Sequence, residues 1–220
     1  MKTGIIIRIV LLYIFSKLVY YYPGLKKYNH KTRFNFYRSL MCMYFFLNSS
    51  ELMINNFYNG FSSPILYKNK LFNDITNWFV SYLIYDLLII FINKNKRMDL
   101  IIHHIFCLFI YSFSKVFNQC NYIFVILLLA EVMSVVTGID SIAKEDNNLK
   151  LSCKLKKFRI FIIRNIRIPI WIFSLLIVIR FNKHFKNKFL WYLCTFGPLV
   201  MIYLDNYWEN KCRKFLRVNK

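Results

Sequence analysis

Seven apolar runs separated by short, polar and mostly basic connections organise this chain. They cover residues 4–22, 39–57, 75–93, 99–117, 121–139, 160–180 and 188–206. Each is close to the roughly 20 residues that an α-helix needs to cross a hydrocarbon core of about 30 Å. The pattern predicts an all-α, multi-pass transmembrane bundle of about seven helices, folded as one domain. The second run is the most polar, carrying Asn48, Ser49, Ser50, Glu51 and Asn55. Pro169 and Pro198 fall inside the last two runs and predict kinks, because proline removes one helix hydrogen bond. The first run starts like a secretory signal with Met1-Lys2, but Lys17 follows and no small-x-small cleavage site is visible. A retained first helix is therefore expected.

Composition agrees with the pattern. The 220 residues are 57% hydrophobic and 20% aromatic, which leaves too little polar surface to coat a water-soluble globule. A formal net charge of +21 would suit a nucleic-acid partner, but the basic residues lie between apolar runs and not along one soluble face, so no nucleic-acid partner is expected. With seven spans, 19 Lys and Arg fall in the connections on one side and 9 on the other. Since Lys and Arg are retained on the cytosolic side during insertion, the N-terminus is predicted to be lumenal or exterior and the C-terminus cytosolic. The basic face would also attract anionic headgroups. Membrane lipids are thus the expected partners, with a membrane-protein partner or a second copy as further options. The six Cys are scattered without the paired spacing of a zinc site or a disulfide framework, so neither metal nor disulfide is expected.

Ionisable residues inside the runs carry the chemistry, because a lone charge at a helix centre costs at least about 2.5–3.5 kcal/mol and so turns to the bundle interior. Glu51, Asp86, Asp99, Glu131 and Asp205 are such acids. Tyr82 lies one turn before Asp86, and Glu131, Ser134 and Gly138 make a polar stripe along the fifth run. Arg164 and Arg167 enter the sixth and are available to neutralise these carboxylates. For each acid, a charge paired to hold two helices together is the plain alternative to a functional role. The sharpest feature is Asp99-Leu-Ile-Ile-His103-His104-Ile-Phe-Cys107. Helical spacing puts Asp99, His103 and Cys107 on one face and turns His104 about 100° away. A carboxylate one turn from an imidazole can orient it for general-base or nucleophilic work; hydrogen bonding within the bundle is the competing role. Adjacent His diverge on a helix, so they make a poor metal site. Asp86, His103, His104 and Glu131 are expected to converge on one interior cavity.

The order of these landmarks resembles the TLC domain, the TRAM–LAG–CLN membrane fold of the endoplasmic reticulum. The likeness covers about residues 30–215, with a first helix and lead-in over 1–29 and a basic cytosolic tail over 216–220. It rests on Arg38-Ser39 at the start of the second span, Ser81-Tyr82-Leu-Ile-Tyr-Asp86 in the third, and Arg97-Met-Asp99-Leu-Ile-Ile-His103-His104 leading into the fourth. Glu131-Val-Met-Ser134, Phe161-Ile-Ile-Arg164, Arg167-Ile-Pro169 and Asp205-Asn206-Tyr-Trp208 follow in order.

The resemblance implies polar residues lining a cavity, with functions in membrane-lipid handling. In the ceramide synthase branch the His pair transfers a fatty acyl group from acyl-CoA to a sphingoid base. Laid on this chain, that branch's His pair falls on His103 and His104, but its following His-Asp-x-x-Asp motif falls on Ala130, Glu131 and Ser134, so one His and one carboxylate are absent. Cys42 stands where many relatives have His. The Glu-x-x-Ser form is more similar to non-synthase TLC-domain proteins linked to lipid composition and trafficking. The preferred expectation is a protein of lipid binding, regulation or trafficking in sphingolipid and ceramide homeostasis. It needs no cofactor, with Tyr82, Asp86, Ser134, Arg164 and Asn206 facing the lipid. The alternative is an acyl-CoA-dependent N-acyltransferase in which His103 or His104 is base or acyl acceptor and Asp99 or Glu131 the orienting carboxylate. The membrane implied is that of the endoplasmic reticulum, or a host membrane for a viral chain.

Overall fold

A computed structural model describes residues 2–93 and 97–219; of the basic residues counted above, Lys94, Lys96 and Lys220 lie outside it. Among the described residues the chain forms seven helical rods and no strand. These are α1 (Lys2–Tyr21), α2 (His30–Ser62), α3 (Lys70–Ile92), α4 (Met98–Phe117), α5 (Asn121–Glu145), α6 (Leu149–Arg180) and α7 (Lys188–Val218). Five of them, α1 and α3 to α6, are long and apolar enough to cross a membrane. The other two are more polar, with 33 residues in α2 and 31 in α7. At 1.5 Å per residue each reaches about 45–50 Å, beyond the hydrocarbon core.

Asparagine sets where four of the rods begin. The side chains of Asn29, Asn69, Asn148 and Asn187 accept hydrogen bonds of 2.7–3.0 Å from the backbone N–H groups of Thr32, Leu71, Leu151 and Phe189, satisfying donors that a helix start leaves open. Hence α2 begins at His30, ahead of its apolar run.

Two rods are not uniform. In α5 a 3-10 turn at Leu129–Glu131 interrupts the α-helix, and in α6 a π-helical turn occupies Ile163–Arg167. Pro169 lies two residues beyond the last residue of that turn. Its ring would collide with the carbonyl four residues back and it offers no N–H, so the wider turn relieves the conflict without ending the helix. At Pro198 α7 continues unbroken.

The connections gather at two ends. At one, Lys27 Nζ and Tyr28 Oη donate to Asp146 (3.0 and 2.9 Å), and the backbone N–H of Asn29 donates to Glu145 (2.5 Å). Lys144 and Lys156 lie over the Phe215 ring of α7 at the same end. At the other, the N–H of Cys120 donates to the carbonyl of Ile65 (2.9 Å), and Gln119 bridges to the 181–187 connection through His184 and Lys186. The first is the basic end.

One core cluster packs α2, α3 and α5 through Phe45, Phe72, Phe79, Tyr82, Tyr122 and Phe124. A second joins α5, α6 and α7 through Met133, Ile162, Trp171, Met201 and Trp208. Helices α2 and α5 approach closely, so that a side chain at Gly138 would overlap Ser39 and the carbonyl of Asn35. The Ser39 hydroxyl donates to the carbonyls of Ser134 and Val135 there (3.1 and 3.0 Å). On the outside, α1 turns Ile6, Ile7 and Leu18 away from the bundle, each more than half exposed, as suits a lipid-facing surface.

Candidate functional site

A cavity of about 570 Å³ begins among Asn29, Lys31, Lys144 and Glu145 at the basic end and runs inward to His103, His104 and Glu131. Helices α2 to α7 all contribute to its wall, so the site exists only when the bundle is assembled.

The floor is built from two histidines, each set against a carboxylate from another helix. His104 is buried, with Nε2 2.8 Å from Asp86 on α3 and Nδ1 3.0 Å from the carbonyl of Leu100 one turn earlier. Asp86 is fully buried, and its other oxygen accepts from Arg38 Nε of α2 at 2.7 Å. Arg38, Asp86 and His104 thus tie three helices together. The contact between Asp86 Oδ2 and His104 Nε2 is a close approach off the hydrogen-bond line, and both atoms lack a hydrogen-bond partner.

His103 points elsewhere, as the 100° step between neighbours on a helix requires. Its Nε2 lies 4.0 Å from Glu131 on α5, while Nδ1 meets the soft sulfur atoms of Met201 (3.3 Å) and Cys107 (3.7 Å). The 3-10 turn of α5 carries Glu131. Its Oε2 accepts from the Ser134 hydroxyl (3.2 Å) and the Cys42 thiol (3.4 Å), and Cys42 is in turn 3.8 Å from the Tyr82 hydroxyl.

Beyond the floor lies a narrow apolar slot of about 40 Å³, lined by Phe106, Ile110, Tyr111, Ile123 and Phe124 among others. The slot and the polar cavity share Phe79, His103 and Glu131. His103 and Glu131 therefore stand where polar lining gives way to apolar lining.

A second ionic network braces the side of the cavity. Arg167 donates through Nε to both oxygens of Asp205 (2.8 and 3.0 Å) and through Nη1 to the carbonyl of Ala130, while Trp171 Nε1 donates to Asp205 (2.7 Å). It locks α5, α6 and α7 around the histidines.

Of the residues singled out from sequence, the structure brings together Tyr82, Asp86, His103, His104, Glu131 and Ser134. Asp99 departs from expectation: it does not orient His103. It accepts from Arg97 (2.9 and 2.7 Å) and from the indole of Trp208 (2.8 Å), because at the first turn of α4 it is in reach of α7. Arg164 does not enter the cavity either. It pairs with Glu209 at 2.8 Å with its side chain 59% exposed, since the π-turn separates it in direction from Arg167. The amide of Asn206 folds back on the carbonyl of Ile202 at an exposed position, and Glu51 is exposed. The cation facing Asp86 is Arg38, which sequence reasoning treated only as a family landmark. Asn35, Arg38 and Cys42 fall at i, i+3 and i+7 on α2, and that spacing was the available signal. Among the described residues no three His, Cys, Asp or Glu gather as a metal ion would need.

Long apolar helices enclosing a polar, histidine-floored cavity define a multi-pass helical membrane protein. The family model for the TLC domain, named for TRAM, LAG1 and CLN8, matches residues 32–212, and the chain belongs to that family of membrane proteins with lipid-related function. The match starts in α2 and ends in α7, so it contains every helix that lines the cavity. Searches among curated proteins and among solved structures returned no match.

Proposed function

We propose that this protein binds a membrane lipid inside the bundle and serves lipid regulation or trafficking, in sphingolipid and ceramide homeostasis, in the endoplasmic reticulum membrane with the basic end cytosolic. The observation that carries the reading is the passage from polar cavity to apolar slot across His103 and Glu131. An amphiphile needs those two environments in that order, with a few convergent polar groups at the junction to meet its backbone. Mass spectrometry of lipid co-purifying with the full chain tests it. Retained lipid is expected, reduced several-fold in His103→Ala; a wild-type protein that carries no lipid would overturn the reading.

One observation favours acyl transfer as a second reading: His103 Nε2 stands 4.0 Å from Glu131 at that junction. A sphingoid amine would attack the thioester carbonyl of acyl-CoA, the C–S bond would break with departure of the CoA thiolate, and His103 would take the amine proton. Against it, Ala130 and Ser134 stand where the synthase branch has a His and an Asp, and both ring nitrogens of His104 already face acceptors. Turnover of acyl-CoA with a sphingoid base is expected to be weak or nil; robust ceramide formation lost in His103→Ala would reverse the order of the two readings.

A further inference from the structure

The wall between floor and rim holds more positive charge than it pairs. Asp140, buried on α5, is a single carboxylate approached by three cations: Lys156 is hydrogen-bonded to it, Lys144 lies at 3.5 Å and Arg159 at 3.8 Å. The Ser152 hydroxyl also donates to it (2.7 Å). One carboxylate balances one of these charges and leaves a surplus. At the rim Lys31 and Glu145 both line the opening, and Lys211 approaches Asp99 at 3.8 Å.

Two guanidinium groups give that surplus a direction. Arg159 and Arg38 both line the cavity with side chains 12% and 11% exposed. Nε of Arg159 and Nη2 of Arg38 are buried without a hydrogen-bond partner. Buried donors are ordinarily satisfied, and charged ones strongly so. Arginine presents its donors in a planar fork that fits phosphate oxygens. A basic surface that only oriented the protein in its membrane would keep its charges in water; these two are held inside.

We infer that the lipid of this cavity carries a phosphate-class anionic headgroup, taken up by Arg38, Arg159 and the lysines around Asp140, with its apolar part directed toward His103. The inference rests on the lipid-binding reading and specifies its ligand. The same chemistry would be offered by a phospholipid headgroup or by a soluble phosphate compound, and the test separates them.

Purified full chain in a neutral detergent is titrated with phosphatidic acid, with diacylglycerol of the same acyl chains, and with inorganic pyrophosphate and CoA, reading the fluorescence of Trp208 in the cavity wall through a Trp208→Phe control. Phosphatidic acid is expected to bind at least about tenfold tighter than diacylglycerol, with the preference shrinking as salt rises. Arg159→Gln is expected to remove most of that preference. Should Arg159→Gln fail to fold, Lys144→Gln and Lys211→Gln, both about half exposed, are expected to lower it in smaller steps. Equal affinity for the two lipids overturns the headgroup inference and leaves the lipid reading standing. Binding of neither lipid overturns both, and pyrophosphate or CoA bound more tightly than phosphatidic acid overturns the lipid as the source of the phosphate.

Discussion

Adjacent histidines of the same type do different work here. His104 is fixed between Asp86 and the carbonyl of Leu100, whereas His103 meets sulfur on one nitrogen and has Glu131 at 4.0 Å on the other. Removing Asp86 strands the buried Arg38 guanidinium, at a cost of about 3–5 kcal/mol, and removing His104 empties a buried position packed between Asp86 and Leu100. Asp86→Ala and His104→Ala are therefore expected to lower the thermal unfolding midpoint in detergent markedly. His103→Ala is expected to cost about 1 kcal/mol and to act on lipid retention instead; equal destabilisation by both histidine variants would contradict this division. The convergence of His103, His104 and Glu131 on one cavity was legible because buried charge must find company, whereas Asp86 stands behind His104 and outside the lining. The choice of partners was not. Helical spacing says that Asp99 and His103 share a face, but it is silent on Trp208 and Arg97, which take Asp99 from either side.

Seven helices were legible in the lengths of the apolar runs, since a bilayer dictates that length. The ends were not, because α2 and α7 continue as helix through polar sequence where asparagine caps and ionic contacts, not hydrophobicity, maintain them. The π-turn of α6 was announced by Pro169, though a kink was the form expected. The packing of α2 against α5 leaves no room for substitution at Gly138. Gly138 lies against Ser39, whose hydroxyl is anchored to two carbonyls of α5, so the neighbour cannot swing aside cheaply. Gly138→Ala is expected to cost about 1–3 kcal/mol, read as a lower unfolding midpoint. Restoring space with Ser39→Gly in the same chain should recover part of it; an unchanged midpoint in the single variant would show that the two helices part freely.

At the scale of the molecule, α1 stands apart. Its described residues pack outside and do not line the cavity or the slot, and it precedes the family match at residue 32. The remaining six helices make the chamber, with its polar opening at the basic end. A glycosylation-acceptor scan in microsomes checks which way that end faces: a site placed after Arg217 is expected to stay unmodified and one near Lys68 to be modified. The connections before α2 and after α5 also meet beside the opening, through Lys27 and Tyr28 on Asp146. Hydrogen bonds from Lys27 and Tyr28 hold the Asp146 carboxyl below its ordinary value, and bonds to Tyr28 and Asp146 hold the Lys27 amine above its own. A depressed carboxylate supports the contact above its unfolded value near 3.9 and loses it only as pH falls through the lower folded one. The contact should therefore be indifferent to pH between 5 and 8. Salt is another matter, since exposed charges are screened within about 10 Å at 0.1 M. Hydrogen exchange over residues 22–29 and 146–148, corrected for intrinsic rates, is expected to quicken with ionic strength and not with acidity across that range. The doorway of this chamber would then be a fastening that loosens in brine and ignores the acidity of the compartment.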